Sequence, residues 1–198
     1  VDVVGLSIGT RPDCVAEPVL DLLAGSAADH LVWIEYGLQS AHDTTLALIN
    51  RGHDVACFQK AVDSAHARGL KVCAHVILGL PQETRAQMIA TARFLADLPV
   101  AGGKLHLRYV VRDTPHERLH RAGTYHCLTQ AVNVELVCDF LERLPKQVVI
   151  QRLTGDPHRA ELVAPQWSLR KRETLDMIKT AFEERNTWQG KRLGCSRP

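Results

Sequence analysis

The sequence predicts an α/β fold in which parallel strands alternate with helices and one face of the sheet lines a polar lumen. Three observations predict it. Short β-branched runs alternate with helical periodicity along the 198 residues. Such alternation implies parallel strands joined by right-handed crossovers. Polar residues recur at every second position in several of the strand-like runs, which places them on one side.

Strands are expected at about 3–8, 31–36, 71–77, 104–110 and 148–153. The run from Val1 to Ile8 reads as a core strand from its first residue. Helices are expected at about 16–24, 43–50, 54–68, 84–97, 129–144 and 169–186. Pro18 suits a first helical turn, because its missing N–H has no intrahelical partner there anyway. Ser40 and Asp43 have the spacing of a capping box, and Asp54 and Thr129 are candidate N-caps. Gly69 suits a helix C-terminus, where a left-handed residue closes the last turn.

Two architectures compete for this order: an open doubly wound sheet and a (β/α) barrel. No G-x-G-x-x-G follows any strand, which weakens a dinucleotide-binding sheet. A complete eight-fold barrel needs about 250 residues, so five strands make at most part of one. The strand faces favour the partial barrel. Lys104, His106 and Arg108 share a face, and so do Cys73, His75 and Ile77, opposite Val72, Ala74 and Val76. Glu35 and Arg152 interrupt otherwise apolar strands. A doubly wound sheet is apolar on both faces, whereas a lumen holding a polar ligand is not. For one strand, a solvated edge is the plainer explanation; for four together, the lumen is.

Composition sets the outer limits. Hydrophobic residues are 45% and charged residues 23%, ordinary for a globular domain. Net charge is +2, so no strongly polyanionic or membrane partner is implied by charge alone. No apolar window reaches the 18 or so residues of a membrane helix. The six cysteines, at 14, 57, 73, 127, 138 and 195, form no CxxC and read as free thiols, with 57, 73 and 138 inside apolar runs. A reducing cytoplasm is the expected location. The chain opens at Val1 directly on a strand-like run with no signal-peptide pattern, which leads us to expect part of something longer.

In parallel α/β folds, ligands bind at the carboxyl ends of the strands. Those ends read, in order, GTRPDC from Gly9, GLQS from Gly37 with INRGH from Ile49, GLPQET from Gly79, RDTP from Arg112 and RLTGD from Arg152. Each piece has a plain explanation: a turn, a helix start, a C-cap at Gly52, or a local Arg11–Asp13 pair. Their order and placement together are specific. With KLHLRYVV from Lys104 and TWQGK from Thr187, the set resembles the radical S-adenosylmethionine superfamily over residues 3–191. Within it, the chain is similar to the branch of the Elongator catalytic subunit and to a bacterial YhcC-like subfamily.

That resemblance implies a partial (β/α)₆, TIM-like barrel holding a [4Fe-4S] cluster and S-adenosylmethionine at its mouth. Residues 1–125 are then barrel units three to six, and 126–198 are a strand–helix extension closing the barrel side. The resemblance places Gln39 and Ser40 at the cofactor's ribose or amino-acid portion and Arg51 at its methionine carboxylate. It places Gly79, Leu80 and Pro81 at the adenine, His75 near the ribose where Asp or Asn is common, and Val110 and Val111 at the adenine edge. The implied reaction is reductive cleavage of S-adenosylmethionine, then hydrogen abstraction by a 5′-deoxyadenosyl radical, with flavodoxin or ferredoxin as reductant. The defining CxxxCxxC is absent from this sequence, and Cys14 is no substitute for a three-cysteine loop. The cysteine loop is expected upstream of Val1, so this chain alone is expected to retain neither cofactor nor activity.

For the substrate, Glu35, His106, Arg108 and Arg152 are lumen candidates, with Arg11 and Asp13 at the rim. Residues 142–198 carry a net +5, and with Trp167 and Trp188 they suggest tRNA or another RNA. The plainer reading is a solvated helix face with both tryptophans packed inward. A non-catalytic RNA- or partner-binding module derived from such a barrel is the alternative to the enzyme.

Overall fold

A computed structural model describes residues 3–197; Val1 and Asp2, placed in the first strand by the sequence, lie outside the described residues. Five strands form one parallel sheet: β1 (Gly5–Thr10), β2 (Leu31–Gln39), β3 (Lys71–Leu78), β4 (Gly102–Leu107) and β6 (Val149–Arg152). Their order in the sheet is their order in the chain, β1-β2-β3-β4-β6. A doubly wound sheet reverses its strand order partway; this one never does, so every right-handed crossover lays its helix on the same face. The topology is that of an open piece of barrel wall.

That helix-covered face is the core. Val32, Ile34, Tyr36 and Leu38 of β2 and Val72, Ala74, Val76 and Leu78 of β3 are all buried there. Leu20 and Leu23 of α1 (Glu17–Ser26) and Phe58 and Val62 of α3 (Val55–His66) pack onto them. Met88, Ala92 and Leu95 of α4 (Arg85–Ala96) and Leu136, Val137 and Phe140 of α6 (Gln130–Leu141) complete the layer. Tyr36 and Phe58 meet edge to face at 6.5 Å, a favourable aromatic geometry.

The helix signals are legible in the sequence, with one exception. Pro18 lies in the first turn of α1, Asp54 accepts from the Cys57 N–H at 2.7 Å, and Thr129 accepts from Val132. Gly69, at φ +73°, follows α3 as the sequence suggests. Ser40 and Asp43 do not form a capping box. The N-cap of α2 (Asp43–Leu48) is His42, with no side-chain cap; the capping box belongs to Thr84 and Gln87 of α4.

Strand boundaries differ from the expected ones by a few residues. β1 runs to Thr10, which pairs with Tyr36, while Val3 and Val4 precede the strand and are exposed. The expected strand 104–110 is β4 followed by a separate β5 (Val110–Val111), which pairs antiparallel with β7 (Leu162–Ala164). Thr114 caps a short α5 (Pro115–Arg121), and α7 (Lys171–Glu184) packs along α6. All six cysteines are free; Cys57 is half-buried rather than buried, whereas Cys73 and Cys138 are buried as expected. No described helix is long and apolar enough to cross a membrane.

The carboxyl-terminal motif TWQGK is a staple. Gln189 donates to the carbonyls of Pro145 (2.7 Å) and Val148 (2.8 Å), Thr187 donates to the buried Glu142, and the Trp188 indole donates to the Cys195 carbonyl. Trp167 likewise donates to the Leu128 carbonyl at 3.1 Å. Both tryptophans are thus half-buried and pinned by backbone carbonyls.

Candidate functional site

Alternation along the strands turns Ser7, Glu35, His75, Lys104 and His106 toward the face the helices leave open. Glu35 is its centre and is only 8% exposed. It accepts from the Ser7 hydroxyl, from His75 Nε2 at 2.6 Å and from the Lys104 ammonium at 2.5 Å. Burial pushes its carboxyl up, but the hydrogen bonds from Lys104, Ser7 and His75 outweigh this and hold it at about 2. Lys104 and Ser7 are not among the sequence candidates. Alternation with His106 and with Gly9 marks their faces, but only the strand order brings them to Glu35.

His75 and His106 stack, with ring centroids 5.5 Å apart. Burial drives His106 down to about 4, assisted by the positive charge of Arg152. His75 is also lowered, mainly by burial, although Glu35 pulls the other way. His116 of α5 falls to about 4 through burial and the proximity of Arg108. A depressed histidine favours the folded state when neutral, so its contribution is complete above about pH 6.5 and is lost as pH falls toward 4. Wild-type protein is therefore expected to lose stability between pH 7 and 5. His106→Phe should abolish roughly 2 kcal/mol of that loss, read from denaturant midpoints at the two pH values. An unchanged pH dependence in the variant would refute the assignment.

A cavity of about 330 Å³ opens at the carboxyl ends of β3 and β4, lined by Gln39, His75, His106, Arg108, Tyr109 and Val111 among others. It unites three cofactor candidates with two substrate candidates. Gln39 reaches it from a β-bulge: pairing with β3 slips between Gly37 and Gln39, and Gln39 takes φ +72°. Left-handed backbone is costly for a residue with a Cβ, and a bulge re-aims the side chain beside it.

Arg51 follows α2 and folds back to donate to the Gly37 carbonyl from Nη2 (3.0 Å) and Nε (3.3 Å), joined there by His53 Nε2. The bare Gly37 permits this approach: a Cβ there would lie 2.2 Å from Arg51 Nη2 and 2.6 Å from Gln39 Nε2. Arg51 is half-buried and forms no ion pair among the described residues. Its guanidinium is lowered by burial and by Arg11. Arg11, in turn, lies over Gly52 and pairs with Asp13, Nε to Oδ1 at 2.9 Å. The two rim candidates are therefore committed to each other, as a local pair across a turn.

The Gly79–Leu80–Pro81 turn is held from behind. The Tyr125 hydroxyl donates to the Gly79 carbonyl at 2.8 Å, and the left-handed Gly79 leaves no room for a Cβ against Leu128. The Ser40 hydroxyl donates to Glu83, tying the GLQS turn to GLPQET. Arg152 is exposed on β6 and pairs in register with Lys104.

These features fit one half of a cofactor site. Arg51 offers an uncompensated guanidinium beside Gln39, which suits the carboxylate of an amino acid. Among the described residues, no three His, Cys, Asp or Glu stand where they could hold a metal.

Residues 1–95 match the Radical SAM superfamily and residues 100–184 the Radical_SAM C-terminal domain. The chain belongs to the radical S-adenosylmethionine superfamily. It is 42% identical over 190 residues to the uncharacterized protein YtqA of Bacillus subtilis, covering 96% of this chain and 59% of that protein. It is 40% identical over 167 residues to Protein YhcC of Escherichia coli, covering 84% of this chain and 54% of that one. The chain thus spans little more than half the length of these curated relatives. More distantly, it is 29% identical to a tRNA uridine(34) acetyltransferase of Dehalococcoides mccartyi, over 77% of this chain and 33% of that protein. The archaeal Methanocaldococcus infernus Elp3 with an N-terminus deletion shares the fold, at a TM-score of 0.81 and 21% identity, covering 94% of this chain and 43% of that one.

Proposed function

We propose that this chain is the cofactor- and substrate-facing wall of a longer cytoplasmic radical S-adenosylmethionine enzyme, whose cluster-binding cysteines lie outside it. The observation that carries the reading is Arg51, half-buried with no ion pair among the described residues, at the mouth of the barrel wall and directly beside Gln39. Bound at a four-iron cluster that flavodoxin or ferredoxin would reduce, S-adenosylmethionine would supply the radical for hydrogen-atom abstraction. The residues of this chain bind and orient. Arg51 takes the methionine carboxylate with the N–H groups that the Gly37 carbonyl leaves free, and Gln39, aimed by its bulge, takes the adjacent polar atoms. The Glu35–Lys104–His75 cluster fixes the lumen floor, and neutral His106 holds its ring against it.

The test is anaerobic reconstitution of the full-length protein. Four-iron absorbance and reductant-dependent release of 5′-deoxyadenosine are expected. Arg51→Ala should weaken S-adenosylmethionine about 10- to 100-fold while the cluster absorbance persists, as loss of a charge-assisted hydrogen bond implies. Absence of both the absorbance and the release would sink the proposal.

A second reading is a tRNA-handling protein, as a substrate of the enzyme or as the ligand of a non-catalytic module. The name of the acetyltransferase relative points that way, as does a cavity of about 440 Å³ lined by Arg112, Arg118 and Arg121 together with Asp113 and Glu117, the last already paired with Arg121. Bulk tRNA added to the same samples separates the readings. Salt-sensitive retention without 5′-deoxyadenosine release favours the module.

A further inference from the structure

The polar face carries more positive charge than its own residues neutralise. Lys104, Arg108 and Arg152 share it with the carboxylate of Glu35, already occupied by Ser7, His75 and Lys104, while Asp156, the other carboxylate near Arg152, is paired with Lys171. Among the described residues, neither Arg108 nor Arg152 forms an ion pair or a side-chain hydrogen bond. Five buried side-chain polar atoms have no partner among the described residues, and two of them belong to this face: Arg108 Nε and His106 Nε2. Both residues line the same 330 Å³ cavity. Buried polar atoms in native proteins are nearly always paired, and an uncompensated buried guanidinium is costly. The Arg108 guanidinium therefore lacks an acceptor, and a charged one, and His106 Nε2 beside it can donate to the same group in its Nε2–H tautomer.

We propose that this lumen receives an anionic group of the substrate, a carboxylate or a phosphate, between Arg108, Arg152 and His106. The proposal rests on the reading of this wall as a substrate chamber and names the chemistry of what enters it. A planar guanidinium donates to carboxylate or phosphate oxygens in a fork, from Nε and one Nη together. His106 completes the set from the neighbouring position on the same face, with Nε2–H as its donor. Its neutrality at pH 7 leaves that donor set unchanged by titration near physiological pH. Arg152 stands on the next strand in register with Lys104 and closes the lumen toward solvent with a second positive charge. Arg51 lines another cavity, with Asn50, Gly52 and His53, whereas this one is shared with the cofactor candidates Gln39, His75 and Val111, so the Arg108 and Arg152 variants are what tell a substrate anion from the cofactor's own carboxylate.

The test is calorimetric titration of malonate, inorganic phosphate and the neutral malonamide into the full-length protein. Wild type is expected to bind malonate or phosphate, whichever matches the natural group, and to ignore malonamide. Arg108→Gln should weaken that anion at least tenfold. Arg152→Gln, at an exposed position that the fold does not need, should weaken it in the same direction. If neither anion binds, if malonamide binds as well as malonate, or if both variants bind like wild type, the proposal is overturned. S-adenosylmethionine, titrated into the same wild-type sample, reports on the cofactor reading separately. Its failure to bind removes that reading, whereas failure of the two anions removes this one.

Discussion

Glu35→Ala is expected to destabilise the protein by about 3–5 kcal/mol, the range for removing one partner from a buried ion pair. The magnitude follows from what Glu35 leaves behind. Lys104, with its side chain 16% exposed, would face Arg152 with no counter-charge, and the Ser7 hydroxyl and His75 Nε2 would lose their acceptor. The cost is chiefly that of the orphaned ammonium, so removing it as well should reverse most of the loss. The double variant Glu35→Leu with Lys104→Met is expected to recover more than half of the stability lost by Glu35→Ala. Urea midpoints at pH 7 on Glu35→Leu, Lys104→Met and their double close the cycle, with Glu35→Ala measured beside them. A Glu35→Ala variant within about 1 kcal/mol of wild type would show a solvated, weak pair instead. The sign with pH is fixed too. A carboxyl held at about 2 contributes fully above its ordinary range near 4.5, and that contribution is lost as pH falls from there toward 2. This window lies below that of His106 and His116, so acid should weaken the fold in two separable stages.

The same cluster shows how far the sequence can be read. Alternation along one strand is local, so the shared face of Lys104, His106 and Arg108, and that of Cys73 and His75, are legible in the residue order itself. What Glu35 touches is not local. Its contacts depend on β2 lying beside β3 and β3 beside β4, and on registers that set Glu35 opposite Cys73 and His75 opposite Lys104. Hence the sequence presents Glu35 as a free lumen residue when it is fully engaged, while Arg108, which looks the same in the sequence, is not. The pair β5 and β7 is invisible there for a related reason. Two and three residues carry no period, and their partners lie some fifty residues apart. Ser40 shows the converse error: its spacing to Asp43 fits a capping box, but its hydroxyl is drawn to Glu83, which only the packing of α4 against the GLQS turn brings within reach.

Gly37→Ala should separate binding from folding at this site. Gly37 has no positive φ, so the substitution meets no backbone strain of its own. The added methyl would instead meet the ends of two flexible side chains, Arg51 Nη2 at 2.2 Å and Gln39 Nε2 at 2.6 Å. Flexible ends move away at little cost, so stability should change by less than about 1 kcal/mol. Those ends are the groups proposed to hold the methionine moiety, however, and displaced they no longer point at it. Losing a charge-assisted hydrogen bond and its neighbour should weaken S-adenosylmethionine by about 2–3 kcal/mol, roughly 30- to 150-fold. Equilibrium dialysis beside urea melts on the full-length protein reads both quantities. Equal loss of affinity and stability would mean that the methyl disrupts β2 rather than the fork. Unchanged affinity would mean that Arg51 serves only to hold the Gly37 carbonyl, with the carboxylate bound elsewhere. The contrast works because the chain placed a glycine where a strand side chain would otherwise occupy the space that Arg51 now fills.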